Sequence, residues 1–210
     1  MSKTAIQILL AIIPLLLSQG AVAQLDMSGK VSISESAPSP LQDGVDDYVR
    51  KNYAAALKKL QPLAKKNDAI AQFCVGKMYM QGHGVKPNYK IGIAWLQKSA
   101  KQGNRDAQAF LGFVYYYGIG VKQSYTESIS WSRKAADQGS SEAQHNLGWM
   151  YEKGQGVPPD PVEAYMWFKL AANLGEEGAR VKMKALEPSL TQQQIAEAAT
   201  RVRVWMAQHD

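Results

Sequence analysis

The sequence has one cysteine, Cys74, and three histidines, His83, His145 and His209. A lone thiol cannot close an intrachain disulfide. The histidines fall in a turn, on a helix and at the chain end. No two of them have metal-ligand spacing, and no His-Glu-x-x-His motif is present, so no metal and no cofactor are expected. No Ser-x-x-Lys and no Gly-x-Ser-x-Gly occurs, which removes two serine-nucleophile signatures. With no paired catalytic carboxylates at an obvious site either, no enzyme is expected, and an envelope hydrolase stands only as the least favoured alternative. Charge of one sign is not clustered. The net charge is +6, with both signs mixed along the chain, so no nucleic-acid partner is expected.

A long apolar run is missing too. The mainly apolar stretch Ala5–Leu17 is shorter than the ~20 residues of a membrane-spanning helix. Lys3 precedes it and the small-residue triplet Ala21-Val22-Ala23 follows, so residues 1–23 read as a secretory signal peptide cleaved after Ala23. A periplasmic location is the expectation, with membrane contact only through the signal before cleavage. Removing Lys3 with the signal leaves a charge of +5. Residues 24–44 are rich in Ser, Pro, Gly and acid without a period, and read as a flexible leader.

What the chain does have is a repeat. Ala71, Ala107, Ala143 and Ala179 open four copies, and the offsets 107−71, 143−107 and 179−143 all equal 36. Fixed self-similarity at such a period marks a solenoid. The clear copies are 71–106, 107–142 and 143–178. Gln72, Gln108 and Gln144 form one column, Gly76, Gly112 and Gly148 another, and Trp95, Trp131 and Trp167 a third. Apolar residues at helical spacing predict a first helix in each copy. An interior glycine costs that helix about 1 kcal/mol against alanine, which predicts close approach of a second helix. The turns Gly82-x-Gly84, Gly118-x-Gly120 and Gly154-x-Gly156 end the first helices. Asn88, Ser124 and Asp160 cap the second ones. Asn52 lies in the same column and predicts a degenerate starting unit from Val45, with a short helix at Asp46–Arg50 before a longer one reaching about Lys66. Pro62 is awkward late in that longer helix. In the drifting fourth copy Val181, Met183 and Leu186 are expected to keep the apolar stripe. Thr191-x-x-Gln194 is a capping box for a final helix with Ile195, Ala198, Val202 and Trp205 on one face. The solenoid is assigned to 45–188 and this C-terminal capping helix to 189–210.

The text Ala-Gln-x-x-Leu-Gly-x-x-Tyr-x-x-Gly-x-Gly-Val, then Trp-x-x-Lys-Ala-Ala-x-Gln-Gly, best kept over Ala107–Gly139 and Ala143–Gly175, resembles the Sel1-like repeat family of tetratricopeptide-like proteins. The resemblance implies an all-α fold: a right-handed α-solenoid of stacked helix–turn–helix repeats with a capping helix. It also implies a scaffold for protein partners, with the first helices on the concave side. Some relatives are cysteine-rich, with a disulfide in each repeat; this chain departs from them, and Cys74 reads as a buried or half-buried thiol.

Recognition should then rest on residues that do not recur. On the first helices these are Phe73, Lys77 and Met80, then Ala109, Phe113 and Tyr116, then His145, Trp149 and Glu152. They predict a groove that holds another envelope protein or a peptide segment of it. Two alternatives stand beside this. Phe113 and Trp149 could instead be covered by neighbouring repeats or the leader. The groove could instead bind peptidoglycan, since aromatic rings stack on sugars.

Overall fold

The structure, a computed structural model, describes residues 21–25, 31–35 and 39–209. Strands β1 (Ala21–Leu25) and β2 (Val31–Glu35) pair antiparallel, with Ala21 opposite Glu35. Residues 1–20 of the predicted signal lie outside the described residues. The remaining described chain is helical: α1 (Pro40–Val49), α2 (Tyr53–Lys65), α3 (Ala69–Gln81), α4 (Tyr89–Lys101), α5 (Arg105–Tyr117), α6 (Tyr125–Ala136), α7 (Ser141–Lys153), α8 (Pro161–Asn173), α9 (Glu177–Leu186) and α10 (Gln192–His209). A 3-10 turn over Glu187–Ser189 separates the last two. No helix among the described residues is long and apolar enough to cross a membrane.

Each unit is an antiparallel pair, α3 with α4, α5 with α6, and α7 with α8, and each pair stacks on the next. One hairpin cannot bury its own apolar face, whereas stacked hairpins share a continuous core. The first helices begin two residues before the alanine column, because Asp68, Asn104 and Ser140 cap them. Their side chains accept from the amides of Ala71, Ala107 and Ala143 at 2.8, 2.8 and 3.3 Å. The second helices are capped as expected, by Asn88, Ser124 and Asp160 accepting from Ile91, Glu127 and Glu163 at 3.0, 3.2 and 2.9 Å.

The interior glycines mark a close crossing in each hairpin. A methyl built on Gly76 would lie 2.8 Å from Leu96 Cγ, and one on Gly148 would lie 2.5 Å from Phe168 Cδ1. Gly112 meets Ser132 at the corresponding place. The second glycine of each turn joins one unit to the one before. A methyl on Gly84 would strike the Tyr53 backbone at 2.7 Å, and one on Gly156 the Tyr125 backbone at 2.8 Å. Both glycines also have left-handed backbone angles, φ 68° and 78°, which a side chain would strain.

Several expectations at the ends are corrected. The first helix runs over Pro40–Val49, not Asp46–Arg50, so 40–44 is helix and not leader. Ser39 accepts from Gln42 N–H, and Pro40 sits where its missing donor is harmless. Asn52 precedes α2 but its side chain makes no cap bond. Lys51 turns left-handed at φ 65°, and Asn52 follows at ψ 57° instead of the extended ψ of a cap. Its amide instead faces Asp47 Oδ1 at 3.5 Å. α2 runs through Pro62, which is exposed. In α9, Ala179 is buried and Met183 and Leu186 pack on the last core clusters, but Val181 is 60% exposed. Val181 points away because Ala179, Met183 and Leu186 share one face at helical spacing, and a residue two positions from Ala179 falls on the opposite one.

The closing helix α10 packs on α8 through Ala198 and Val202, with Ile195 and Trp205 flanking. Its start is the expected box: Gln194 N–H donates to Thr191 Oγ1 at 3.2 Å, and Thr191 N–H to Gln194 Oε1 at 2.9 Å. Arg201 reaches Glu163 Oε2 at 2.8 Å and Asp160 Oδ2 at 3.4 Å, tying α10 to the start of α8.

Candidate functional site: an aromatic cleft between the second and third repeats

The first helices of adjacent repeats, α5 and α7, bring Phe113, Tyr116, His145 and Trp149 around one cleft of about 350 Å³. Gly112 and Ser128 also line it. Both are small residues from columns fixed by packing, and they leave the space the larger side chains surround. Ser128 spends its hydroxyl on Gly112 O at 2.8 Å. Phe113, Tyr116, His145 and Trp149 are all half-buried, so each offers part of its surface to the opening.

Phe113 stacks beside Phe110 at 6.1 Å and meets Tyr117 at 4.7 Å. Tyr116 donates its hydroxyl to Gln155 Oε1 at 2.8 Å, and burial pushes its phenol above the ordinary tyrosine range, so it stays protonated. Trp149 carries Lys182 over its ring at 3.6 Å and Lys153 at 5.3 Å. His145 packs against Phe168 at 5.7 Å. Burial pushes its pKa below the ordinary histidine value, so the ring is neutral at pH 7. Its Nδ1 is 3.8 Å from Glu176, too far for a hydrogen bond, and its buried Nε2 has no partner.

The other predicted groove residues lie elsewhere. Met80 is only 7% exposed and belongs to the core, because it lies against Gly92 where no side chain competes for the space. Ala109 is likewise a core residue. Phe73 and Lys77 form a separate contact, with Lys77 5.4 Å from the Phe73 ring and 5.8 Å from that of Phe110. Phe110 therefore links that contact to Phe113. Glu152 does not line the cleft and pairs with Lys153 at 2.7 Å. Conversely, Tyr117 and Asn146 line it and sequence reasoning passed them over. Both stand in non-recurring columns at helical spacing from chosen residues, Tyr117 four after Phe113 and Asn146 three before Trp149, which was signal enough to find them. Lys182 was out of reach, since it comes from the next helical unit.

Cys74 is buried and burial pushes its thiol up to about 11, which makes it unreactive. Among the described residues no group of three or more His, Cys, Asp or Glu side chains could hold a metal ion.

A solenoid of helical hairpins with one aromatic cleft and repeat residues committed to packing defines an all-α repeat protein. The Sel1 repeat model matches residues 69–104, 105–140 and 141–176. The chain belongs to the Sel1 repeat family, whose members generally mediate protein–protein interactions through a fold that is typically a non-catalytic scaffold. Several solved structures are similar, among them the following two. A Sel1 repeat protein from Oxalobacter formigenes is 31% identical with a TM-score of 0.67, over 70% of this chain and 59% of that one. A protective antigen present in uropathogenic Escherichia coli strains, displaying an SLR fold, is 27% identical with a TM-score of 0.70, over 79% of this chain and 38% of that one. The chain thus spans less than two thirds of either. No curated protein matches it.

Proposed function

We propose that this chain is an exported, periplasmic scaffold that holds an extended segment of another envelope protein in the cleft between α5 and α7. The observation that carries the reading is the meeting of Phe113, Tyr116, His145 and Trp149 around one open cleft with a buried ring nitrogen left unpaired. An aromatic anchor on the segment would bury apolar area against Phe113 and Trp149. A main-chain group of the segment would satisfy His145 Nε2. Lys182 and Lys77 stand near the two ends of the aromatic surface and favour carboxylates there. Export is supported by Lys3, the stretch Ala5–Leu17 and the triplet Ala21-Val22-Ala23.

Binding of peptidoglycan is the weaker reading, because a sugar needs an open ring face and Lys182 and Lys153 already lie over Trp149, whereas an apolar side chain can use the part of the half-buried ring they leave uncovered. The test is a pull-down from envelope extract with wild type and the Phe113→Ala/Trp149→Ala variant, beside sedimentation with purified peptidoglycan. A partner recovered by wild type alone, with no sedimentation, supports the scaffold. Equal recovery by both proteins removes the cleft, and sedimentation lost in the variant installs the glycan reading.

A further inference from the structure

The recurring glutamines form a ladder, and its last rung is missing. Gln72, Gln108 and Gln144 each donate through Nε2 to the carbonyls of Ala64, Ala100 and Ala136, at 3.1, 3.0 and 3.2 Å. In the first two repeats Oε1 then accepts from another glutamine. Gln102 donates to Gln72 at 2.7 Å, and Gln138 donates to Gln108 at 2.7 Å. The same column in the third repeat holds Leu174, which has no donor and is 55% exposed. Gln144 is 0% exposed, and its Oε1 has no hydrogen-bond partner. The amide cannot turn over to hide this oxygen, because its nitrogen is held by Ala136.

A second orphan lies beside the same space. Trp205, from the capping helix, has a buried Nε1 with no acceptor. Gln144 and Trp205 both line a cavity of about 310 Å³, separate from the aromatic cleft. Leu170, Leu174 and Met206 supply apolar wall, and Leu174 and Met206 are exposed at its edge. Buried polar groups without partners are rare and costly. Here one lacks a donor and the other lacks an acceptor. A carboxylate only accepts and an ammonium only donates, so neither satisfies both. A hydroxyl, a main-chain amide and a carboxamide can each do both, and the carboxamide is the group that fills the two earlier rungs.

We propose that this cavity is a second binding site, which takes the side-chain carboxamide of a glutamine on a partner polypeptide, its methylenes lying against Leu170 and Leu174. The partner thereby completes the ladder that Leu174 interrupts. The cavity is at the small end of the range for ligand sites, which suits one side chain.

The test is an NMR titration of the full chain with N-acetyl-glutamine N-methylamide, and with its glutamate and norleucine counterparts. These share the main-chain amides and differ only at the side-chain end. The readouts are the Trp205 indole resonance, assigned with Trp205→Phe, and the Gln144 side-chain amide. The glutamine probe should move both saturably, with the two counterparts binding at least ten-fold more weakly. Leu174→Gln, at an exposed position, should weaken the glutamine probe at least ten-fold by filling the rung internally. Trp205→Phe should weaken it as well, read at Gln144. The proposal is overturned if the glutamine probe gives no saturable shift, if all three probes bind alike, or if Leu174→Gln binds the probe as wild type does.

Discussion

Replacing Gly148 with alanine sets two opposed effects against each other at one atom. On an open helix surface the change would stabilise by about 1 kcal/mol, through the better helix propensity of alanine. In this fold the added methyl would lie 2.5 Å from Phe168 Cδ1 and 2.6 Å from Cε1. Phe168 is fully buried in one cluster with Ala164, Ala171 and Ala179, so any shift of the ring disturbs packed neighbours. Overpacking a closed core costs about 1–3 kcal/mol. The upper half of that range applies, because a rigid ring and a helix backbone must both give way. The net expectation is a loss of about 1–2 kcal/mol. Urea denaturation followed by circular dichroism would show it as a lower midpoint at unchanged slope. The cause is checked in a Phe168→Ala background, where the same glycine change should cost at least 1 kcal/mol less, a coupling expected only for residues in contact. A Gly148→Ala protein more stable than wild type, or an equal effect in both backgrounds, would refute the close-approach account of the glycine column.

Asp160 and Asn52 share a column but only Asp160 caps a helix. Asp160→Ala should therefore cost about 1–2 kcal/mol, and Asn52→Ala should stay within about 0.5 kcal/mol of wild type, in the same denaturation assay. The depressed pKa of His145 makes the unfolded chain the better proton acceptor once pH falls below the ordinary histidine value of 6.5. Stability that is full above that pH should then decline as acid is added, and the decline should be shallower in His145→Asn, read as the difference between the two pH profiles. Cys74, buried and raised to about 11, should react with a thiol reagent at pH 8 only in denaturant; prompt labelling of the native protein would contradict its place in the core.

What could be read ahead of the structure is what recurs. The glycine, cap and turn columns each answer to one local requirement, repeated three times, and repetition exposes it. The capping box at Thr191 was legible for the same reason, because both partners lie within one turn. Most of what failed was decided between units, although Phe113, Tyr116, His145 and Trp149 do meet there. Met80, Tyr116 and Glu152 share a column, yet the first enters the core, the second lines the cleft and the third pairs with a neighbouring lysine. Column position fixes direction from the helix axis, while the opposing side chain fixes exposure. The glutamine column was visible, but its partners at 102 and 138 lie thirty residues on. Leu174 reads as an ordinary substitution until that geometry is known. Ser39-Pro40 carried a helix-start signal that the surrounding Ser- and Pro-rich composition hid.

The scaffold proposal places a partner segment between α5 and α7. Its most direct test is a photo-crosslinking residue placed in cells at Phe113, with a control at Ile70, which is exposed away from the cleft. A discrete adduct from position 113 that contains an envelope polypeptide, weakened by Trp149→Ala and missing from position 70, is the predicted result. No adduct at 113, or the same adducts from both positions, would contradict it.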